Sequence, residues 1–217
     1  ADLNFAKRSE LADMSGMVVL LTGGRVKIGY QAGIKLLRSG ASLMVATRFP
    51  RDAAERYASE TDFAEWGDRL EVFGLDLRHT PSIEAFCAHV LSTRSRLDAI
   101  VNNACQTVRR PPSFYEHMIG RETAAVASLP AHVQRLVGSY EVLRHSNPAI
   151  DATSKGTGAV EPRSERIEVP GLARPSEMSQ TALLPGDRLG DASARESLFP
   201  TGHLDQDLQQ VDLRGDR

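Results

Sequence analysis

The sequence predicts an α/β protein built on a parallel sheet, and three observations carry that reading. Apolar runs alternate with amphipathic stretches in a regular beat over the first half of the chain, which is the pattern of βαβ units. The apolar runs are short and nearly continuous, as strands covered on both faces require. A glycine turn, Thr22-Gly23-Gly24-Arg25-Val26-Lys27-Ile28-Gly29, stands between the first apolar run and the first helix-period stretch. A strand, a tight turn and a helix in that order make an anion site, because free backbone N–H groups and the positive helix end face the turn.

The elements follow in order. Met17 to Leu21 reads as strand one, Ile28 to Arg38 as the first helix with Gly40 ending it, and Ser42 to Ala46 as strand two. Pro50 opens a second helix running from Arg51 to Ser59. Leu70 to Leu75 is strand three, Ser82 to Thr93 a third helix, and Leu97 to Asn102 strand four. After Asn103 the beat stops. Pro111 and Pro112 break the chain, Phe114 to Met118 has the composition of a helix start, and Val133, Leu136, Val137, Tyr140 and Leu143 make one helical face between Ala131 and Leu143. Between Asp151 and Arg217 Phe199 is the only aromatic ring of Phe, Tyr or Trp, so burial there does not offset ordering entropy and most of the stretch is expected to be loop or disordered. Leu204, Leu208 and Val211 are spaced as one face of a short docking helix. The resulting expectation is a fold half over 1–108, helical segments over 109–150 and a polar stretch over 151–217.

Composition sets outer limits. The 217 residues, 41% hydrophobic and 25% charged, describe a globular chain with one substantial core. A net charge of −2 offers no global field for nucleic acid or an anionic membrane, so any attraction for phosphate is local. Cys87 and Cys105 are too few and too distant for a metal site or disulfide framework, which favours reduced thiols and a cytoplasmic setting; for Cys105 an inert buried thiol is the plain expectation. No pair of histidines has zinc spacing. No apolar run approaches the roughly 20 residues of a membrane helix. The start at Ala1 and the end at Asp216-Arg217 suggest a piece of a longer protein.

The turn, with three further segments, resembles the short-chain dehydrogenase/reductase family over the first half of the chain. Thr22-Gly23-x-x-x-Lys27-Ile28-Gly29 is similar to the family's TGxxxGIG loop, with Lys27 at the middle glycine. Gly23 and Gly29 keep the bend and the close helix packing; Lys27 either displaces the loop or meets phosphate directly through its ammonium group. The end of strand two reads Thr47-Arg48, where enzymes of this class that select NAD place an acid. A guanidinium there, helped by Arg25 or Arg51, pairs with a 2′-phosphate and argues for NADP over NAD. Asp76-Leu77 resembles the family's acid and apolar pair at the adenine, and Asn102-Asn103-Ala104-Cys105 resembles its NNAG segment with Cys in place of glycine. The resemblance therefore implies a Rossmann-like, doubly wound sheet ordered 3-2-1-4, incomplete here with strand four at an open edge, and cofactor contacts from Thr22, Gly23, Arg25, Lys27, Ile28, Gly29, Arg48, Asp76, Leu77, Asn103 and Ala104. Taken singly, Arg48, Arg51 and Asp76 read first as solvated loop charges; their coincidence with the turn favours the cofactor reading.

The family's chemistry needs a serine and a tyrosine with a lysine four residues later, since an ordinary phenol titrates near 10. Tyr30, Tyr57, Tyr115 and Tyr140 are the only tyrosines and none has that lysine. Tyr30 and Tyr57 fall in helices, Tyr140 on an apolar stripe, and Tyr115 in a loop placed to cover the cleft. No catalytic residue is assigned. The resemblance implies an NADP-dependent oxidoreductase moving a hydride between nicotinamide and a small carbonyl or alcohol, with 109–150 and 151–217 as a long insertion after the Asn-Asn-Ala segment, the catalytic half beyond this chain and homo-oligomer formation through that half. A nucleotide-binding regulatory or interaction protein without catalysis is the alternative. A P-loop phosphotransferase is disfavoured, because Lys27 is followed by Ile28 rather than by serine or threonine.

Overall fold

The computed structural model describes residues 12–105, 110–145, 174–182 and 192–215. Four parallel strands form one sheet in the order β3-β2-β1-β4. They are β1 (Val18–Thr22), β2 (Ser42–Thr47), β3 (Leu70–Gly74) and β4 (Ala99–Asn102). Register brings Thr22 beside Ala46 and Asn102, and Thr47 beside Gly74. The C-terminal ends of all four strands thus share one edge, the place where open α/β sheets bind ligands.

Helix α1 (Lys27–Arg38) buries Gly29, Gly33, Ile34 and Leu37, one face at helical spacing. Gly40, at φ +98°, lets the chain leave the helix, with its N–H bonded to Leu37 O at 3.0 Å. Helix α2 (Pro50–Ala58) starts on a proline whose fixed φ suits the first helical position. A short helix α3 (Phe63–Trp66) follows, and was not predicted because four residues carry no period. Helix α4 (Thr80–Thr93) joins β3 to β4, with His79 accepting from the Ser82 N–H at its start.

Strand β4 departs from the expectation of a buried strand. It begins at Ala99 rather than Leu97, stands at the open edge expected of strand four, and leaves Ile100 and Asn102 exposed. The sheet's other flank is covered. Helix α6 (Ala131–His145) buries the predicted Val133, Leu136, Val137, Tyr140 and Leu143, and packs on β3 and α2. Its Tyr140 ring presses so closely on Gly74 that a Cβ there would lie 2.4 Å from it.

Helix α5 (Pro112–Thr123) corrects the placing of Tyr115 in a loop. It packs on α2, and its Glu122 accepts the N–H groups of Arg51 and Asp52 at 3.2 and 2.9 Å. Helix α2 has no side-chain cap of its own, so a carboxylate from a distant helix satisfies its first donors. Burial pushes the Glu122 carboxyl up to about 7, against the two N–H bonds that favour the charged form. A folded-state value raised above the ordinary 4.5 means that the stabilising contribution is present at low pH and is lost as pH rises towards 7. The expected outcome is a loss on the order of 2 kcal/mol between pH 5 and 8 from this group. Melting curves of Glu122→Gln, which keeps an acceptor without the charge, should be flatter over that range; parallel curves for both proteins would contradict this.

The reading of 151–217 as irregular falls partly outside the described residues, at 151–173, 183–191 and 216–217. Within the described part stand only the short helices α7 (Pro175–Met178) and α8 (Ala192–Leu198) and a 3₁₀ turn at Leu213–Gly215. The docking helix expected from Leu204, Leu208 and Val211 does not form. Leu204 instead bridges Gln210 in antiparallel fashion, Leu208 takes φ +55°, and Leu204 and Leu208 stay exposed. The cause is local: the Asp205 carboxylate accepts the N–H groups of Asp207 and Gln209, both at 2.9 Å, which closes a tight turn where a helix would need those donors.

Candidate functional site

The sequence-assigned residues gather at the C-terminal edge of the sheet in three groups. The first joins the glycine turn to the end of β4. Asn103 Nδ2 donates to Gly23 O at 3.0 Å, and Thr22 Oγ1 accepts the N–H groups of Asn103 and Ala104, both at 3.1 Å. Gly23 sits at φ +70°, and a Cβ on it would be 2.8 Å from Ala104 Cα. Gly29 is tighter still, since a Cβ there would meet Gly23 O at 2.2 Å and Asn103 Nδ2 at 2.4 Å. The turn is therefore folded onto the Asn-Asn-Ala segment with no room for side chains at either glycine. No side chain caps the α1 start at Val26.

Lys27 occupies the departure from the family pattern, at φ +53°. Its backbone adopts the left-handed conformation that glycine would take freely, at a cost of about 1 kcal/mol or more for a residue with Cβ. The ammonium group points to Asp205 and Asp207, 3.9 Å from each. Ile28 beside it is 79% exposed, an apolar side chain left open at the mouth of the turn.

The second group lies at the end of β2. Arg48 donates to Tyr115 Oη at 3.1 Å and its guanidinium lies 4.9 Å from the Tyr115 ring and 5.6 Å from the Phe49 ring. Arg25 is buried, paired to Asp52 Oδ2 at 2.7 Å, with its guanidinium 5.4 Å from the Phe49 ring. Burial works against the Asp52 carboxylate, yet Arg25 and Arg56 outweigh it and hold its pKa below the usual range. Two guanidinium groups thus share one aromatic floor. Arg51, named as a helper, turns the other way: it donates to the carbonyls of Arg121 and Ala124 and is buried.

The third group is Asp76 and Leu77 after β3. Asp76 is buried and accepts from Arg78 through Nη2 at 2.6 Å and Nε at 2.9 Å. Burial opposes its charge, but Arg78 prevails and the carboxyl stays below its ordinary value. Leu77 is largely exposed and makes no part of the core. Sequence reasoning missed Arg78, although it stands two residues after Asp76. It also missed the Tyr57 hydroxyl, which donates to Gly24 O at 2.9 Å from within α2.

The phenols of Tyr57, Tyr140 and Tyr30 are all pushed up by burial, away from the range of a proton donor at neutral pH. Cys87 and Cys105 are in no disulfide and are exposed, which corrects the expectation of a buried Cys105. Among the described residues no group of His, Cys, Asp and Glu could hold a metal ion, and no helix is long and apolar enough to cross a membrane.

The sheet order, the turn after its first strand and the paired asparagine after its fourth define an α/β protein of the dinucleotide-binding architecture. Residues 17–129 match the family model for short chain dehydrogenase, and the chain belongs to that family. It is 31% identical over 144 residues to the uncharacterized protein R665 of Acanthamoeba polyphaga mimivirus, spanning 64% of this chain and 30% of that protein. It is 35% identical over 104 residues to human retinol dehydrogenase 14, spanning 42% of this chain and 31% of the relative. Among solved structures, the Pseudomonas aeruginosa RhlG/NADP active-site complex aligns with 77% of this chain and 64% of its own, at 22% identity and a TM-score of 0.35. The matched regions amount to roughly a third of the length of the curated relatives.

Proposed function

We propose that this chain is the nucleotide-binding portion of an NADP-dependent oxidoreductase that moves a hydride between nicotinamide and a small carbonyl or alcohol, working in the cytoplasm. The observation that carries the cofactor choice is the pair Arg25 and Arg48 over the Phe49 and Tyr115 rings at the end of β2. No carboxylate follows the strand directly, where a residue selecting the NAD ribose would stand. The residues fit the cofactor on a second count: a Cβ at Gly23 or Gly29 would collide with Ala104 Cα or Gly23 O, so glycine at both positions lets the turn close as a backbone-lined seat for pyrophosphate.

In this reading Gly23 and Gly29, with Thr22, Asn103 and Ala104 behind them, fix the turn against the diphosphate. Lys27 adds a point charge there, Ile28 an apolar contact, Arg25 and Arg48 hold the 2′-phosphate, and Asp76 and Leu77 border the adenine. Bound NADP supplies the hydride chemistry; these residues bind and orient it. No catalytic acid is assigned to the chain's tyrosines.

The test is a calorimetric titration of NADPH and NADH into the chain and into Arg48→Asp. The substitution should weaken NADPH by about 1.5–3 kcal/mol, the worth of a charged hydrogen bond, plus the repulsion of the new carboxylate, and leave NADH within about twofold. Equal weakening of both would reject Arg48 as the 2′-phosphate contact.

A further inference from the structure

The segment 203–214 returns from the far end of the sequence to lie on the glycine turn. Its tip is the turn Asp205–Gln209. The carboxylates of Asp205 and Asp207 both stand 3.9 Å from Lys27 Nζ at the first residue of α1. Gln209 Oε1 accepts from Arg25 Nη2 at 3.4 Å. The carbonyls of Asp207 and Leu208 each accept from Arg56 at 2.8 Å. Each of these contacts places a negative or partly negative oxygen on a cation, Lys27 and Arg25 at the start of α1 and Arg56 in the last turn of α2, which is what a phosphate would offer.

The attachment has the character of a displaceable contact. Leu204 and Leu208 are 46% and 61% exposed, so the tip is not held by burial of apolar surface. Its ion pairs are half open to water, with Lys27 at 56% and the two aspartates at 35% and 33% exposure, where each pair is worth little. The segment is anchored elsewhere, by Gln210 Nε2 donating to Pro200 O at 2.7 Å and by Asp212 paired with Arg110 and Arg214. An anchored base with an acidic tip held only by ion pairs open to water and by polar bonds from Arg56 and Arg25, all of them contacts an anion could replace, describes a tethered competitor.

We propose that the Asp205–Gln209 turn is a built-in anion that occupies the phosphate-facing surface of the glycine turn, so that the nucleotide binds by displacing it, its diphosphate from Lys27 and its 2′-phosphate from Arg25. The proposal rests on the nucleotide reading given above, and deepens it by adding an autoinhibitory contact at the same turn. It also gives Lys27 a role: an ammonium in place of glycine serves the competitor and the ligand alike, since either supplies the anion.

The test uses the whole 217-residue chain in calorimetric titrations with NADPH. The variant is Asp205→Asn with Asp207→Asn, which keeps the side-chain carbonyl that accepts the Asp207 and Gln209 N–H groups while removing both charges. A control, Glu65→Gln with Asp68→Asn, makes the same change of net charge before β3, at the opposite end of the strands. The first variant should bind NADPH roughly five- to tenfold more tightly, the control as the parent does. In the parent, saturating NADPH should speed hydrogen exchange at residues 205–209. Equal or weaker binding by the first variant, equal tightening in the control, or unchanged exchange in the parent under saturating NADPH overturns the competitor while leaving nucleotide binding intact. Failure of every form to bind NADPH overturns the nucleotide reading and the competitor with it.

Discussion

A Gly29→Val chain is expected to lose NADPH binding by about two orders of magnitude while keeping its sheet. The reason is a collision with backbone rather than with a movable side chain. A Cβ at Gly29 would sit 2.2 Å from Gly23 O and 2.4 Å from Asn103 Nδ2. Neither atom can retreat easily, because Gly23 is fixed at φ +70° with its N–H bonded to Ala46 O at 2.8 Å, and Asn103 is bonded to the same carbonyl that the new carbon would strike. Relief comes from lifting the α1 start off the turn, which spreads the N–H groups that face an anion. The sheet should survive, since its strands are held by their own pairing and by a core that also draws on α2, α4 and α6. Titration with NADPH, alongside circular dichroism to establish folding, checks this. A folded Gly29→Val chain with parental affinity would show that the turn is not the diphosphate site.

The turn was legible because glycine leaves a mark in sequence that its neighbours cannot imitate. The parallel sheet was legible for a related reason: Val18 to Thr22, Ser42 to Thr47 and Leu70 to Gly74 are short apolar runs, and the helices between them carry their own period. Even the distant stripe from Val133 to Leu143 could be read, since five buried positions on one helical face are a local pattern with a tertiary cause. What escaped has no local pattern. Glu122 caps a helix that begins 72 residues earlier at Pro50, and Tyr115 meets Arg48 across 67 positions. The Asp205–Gln209 turn meets the glycine turn only after the chain has run its whole length. There periodicity misled, because Leu204, Leu208 and Val211 have helical spacing while the Asp205 side chain has already taken the N–H groups that a helix would use. The candidate site residues were named from the strand ends where they stand, but their partners, Asp52 for Arg25, Arg78 for Asp76 and Tyr115 for Arg48, belong to the packing.

Tyr57 shows how the packing and the site are joined, and Tyr57→Ala is expected to cost about 3–5 kcal/mol of stability, the range for deleting a large buried aromatic ring. The side chain is fully buried in α2. Its ring lies 4.8 Å from Tyr30 in α1 and 6.3 Å from Trp66 in α3, so one deletion opens a cavity among three helices. Its hydroxyl donates to Gly24 O inside the glycine turn at 2.9 Å, and a Cβ on Gly33 would meet that oxygen at 2.1 Å. The hydroxyl therefore fixes both the turn and the approach of α1. Tyr57→Phe removes only the hydroxyl and should cost about 1 kcal/mol. The same hydroxyl makes Gly33→Ala destabilising in the parent, whereas in the Tyr57→Phe background the 2.1 Å clash is gone and the new methyl meets only a ring carbon at 3.1 Å and Leu21 Cδ2 at 3.2 Å, which shifts of a few tenths of an ångström relieve. The two substitutions should then be coupled by about 1–3 kcal/mol, the double variant being more stable than the sum of the single losses allows. Urea unfolding of the parent, both single variants and the double variant measures that coupling. Additive losses would mean that α1 is held against the turn by contacts other than the Tyr57 hydroxyl, and a mild loss in Tyr57→Ala would mean that the three helices close over the cavity.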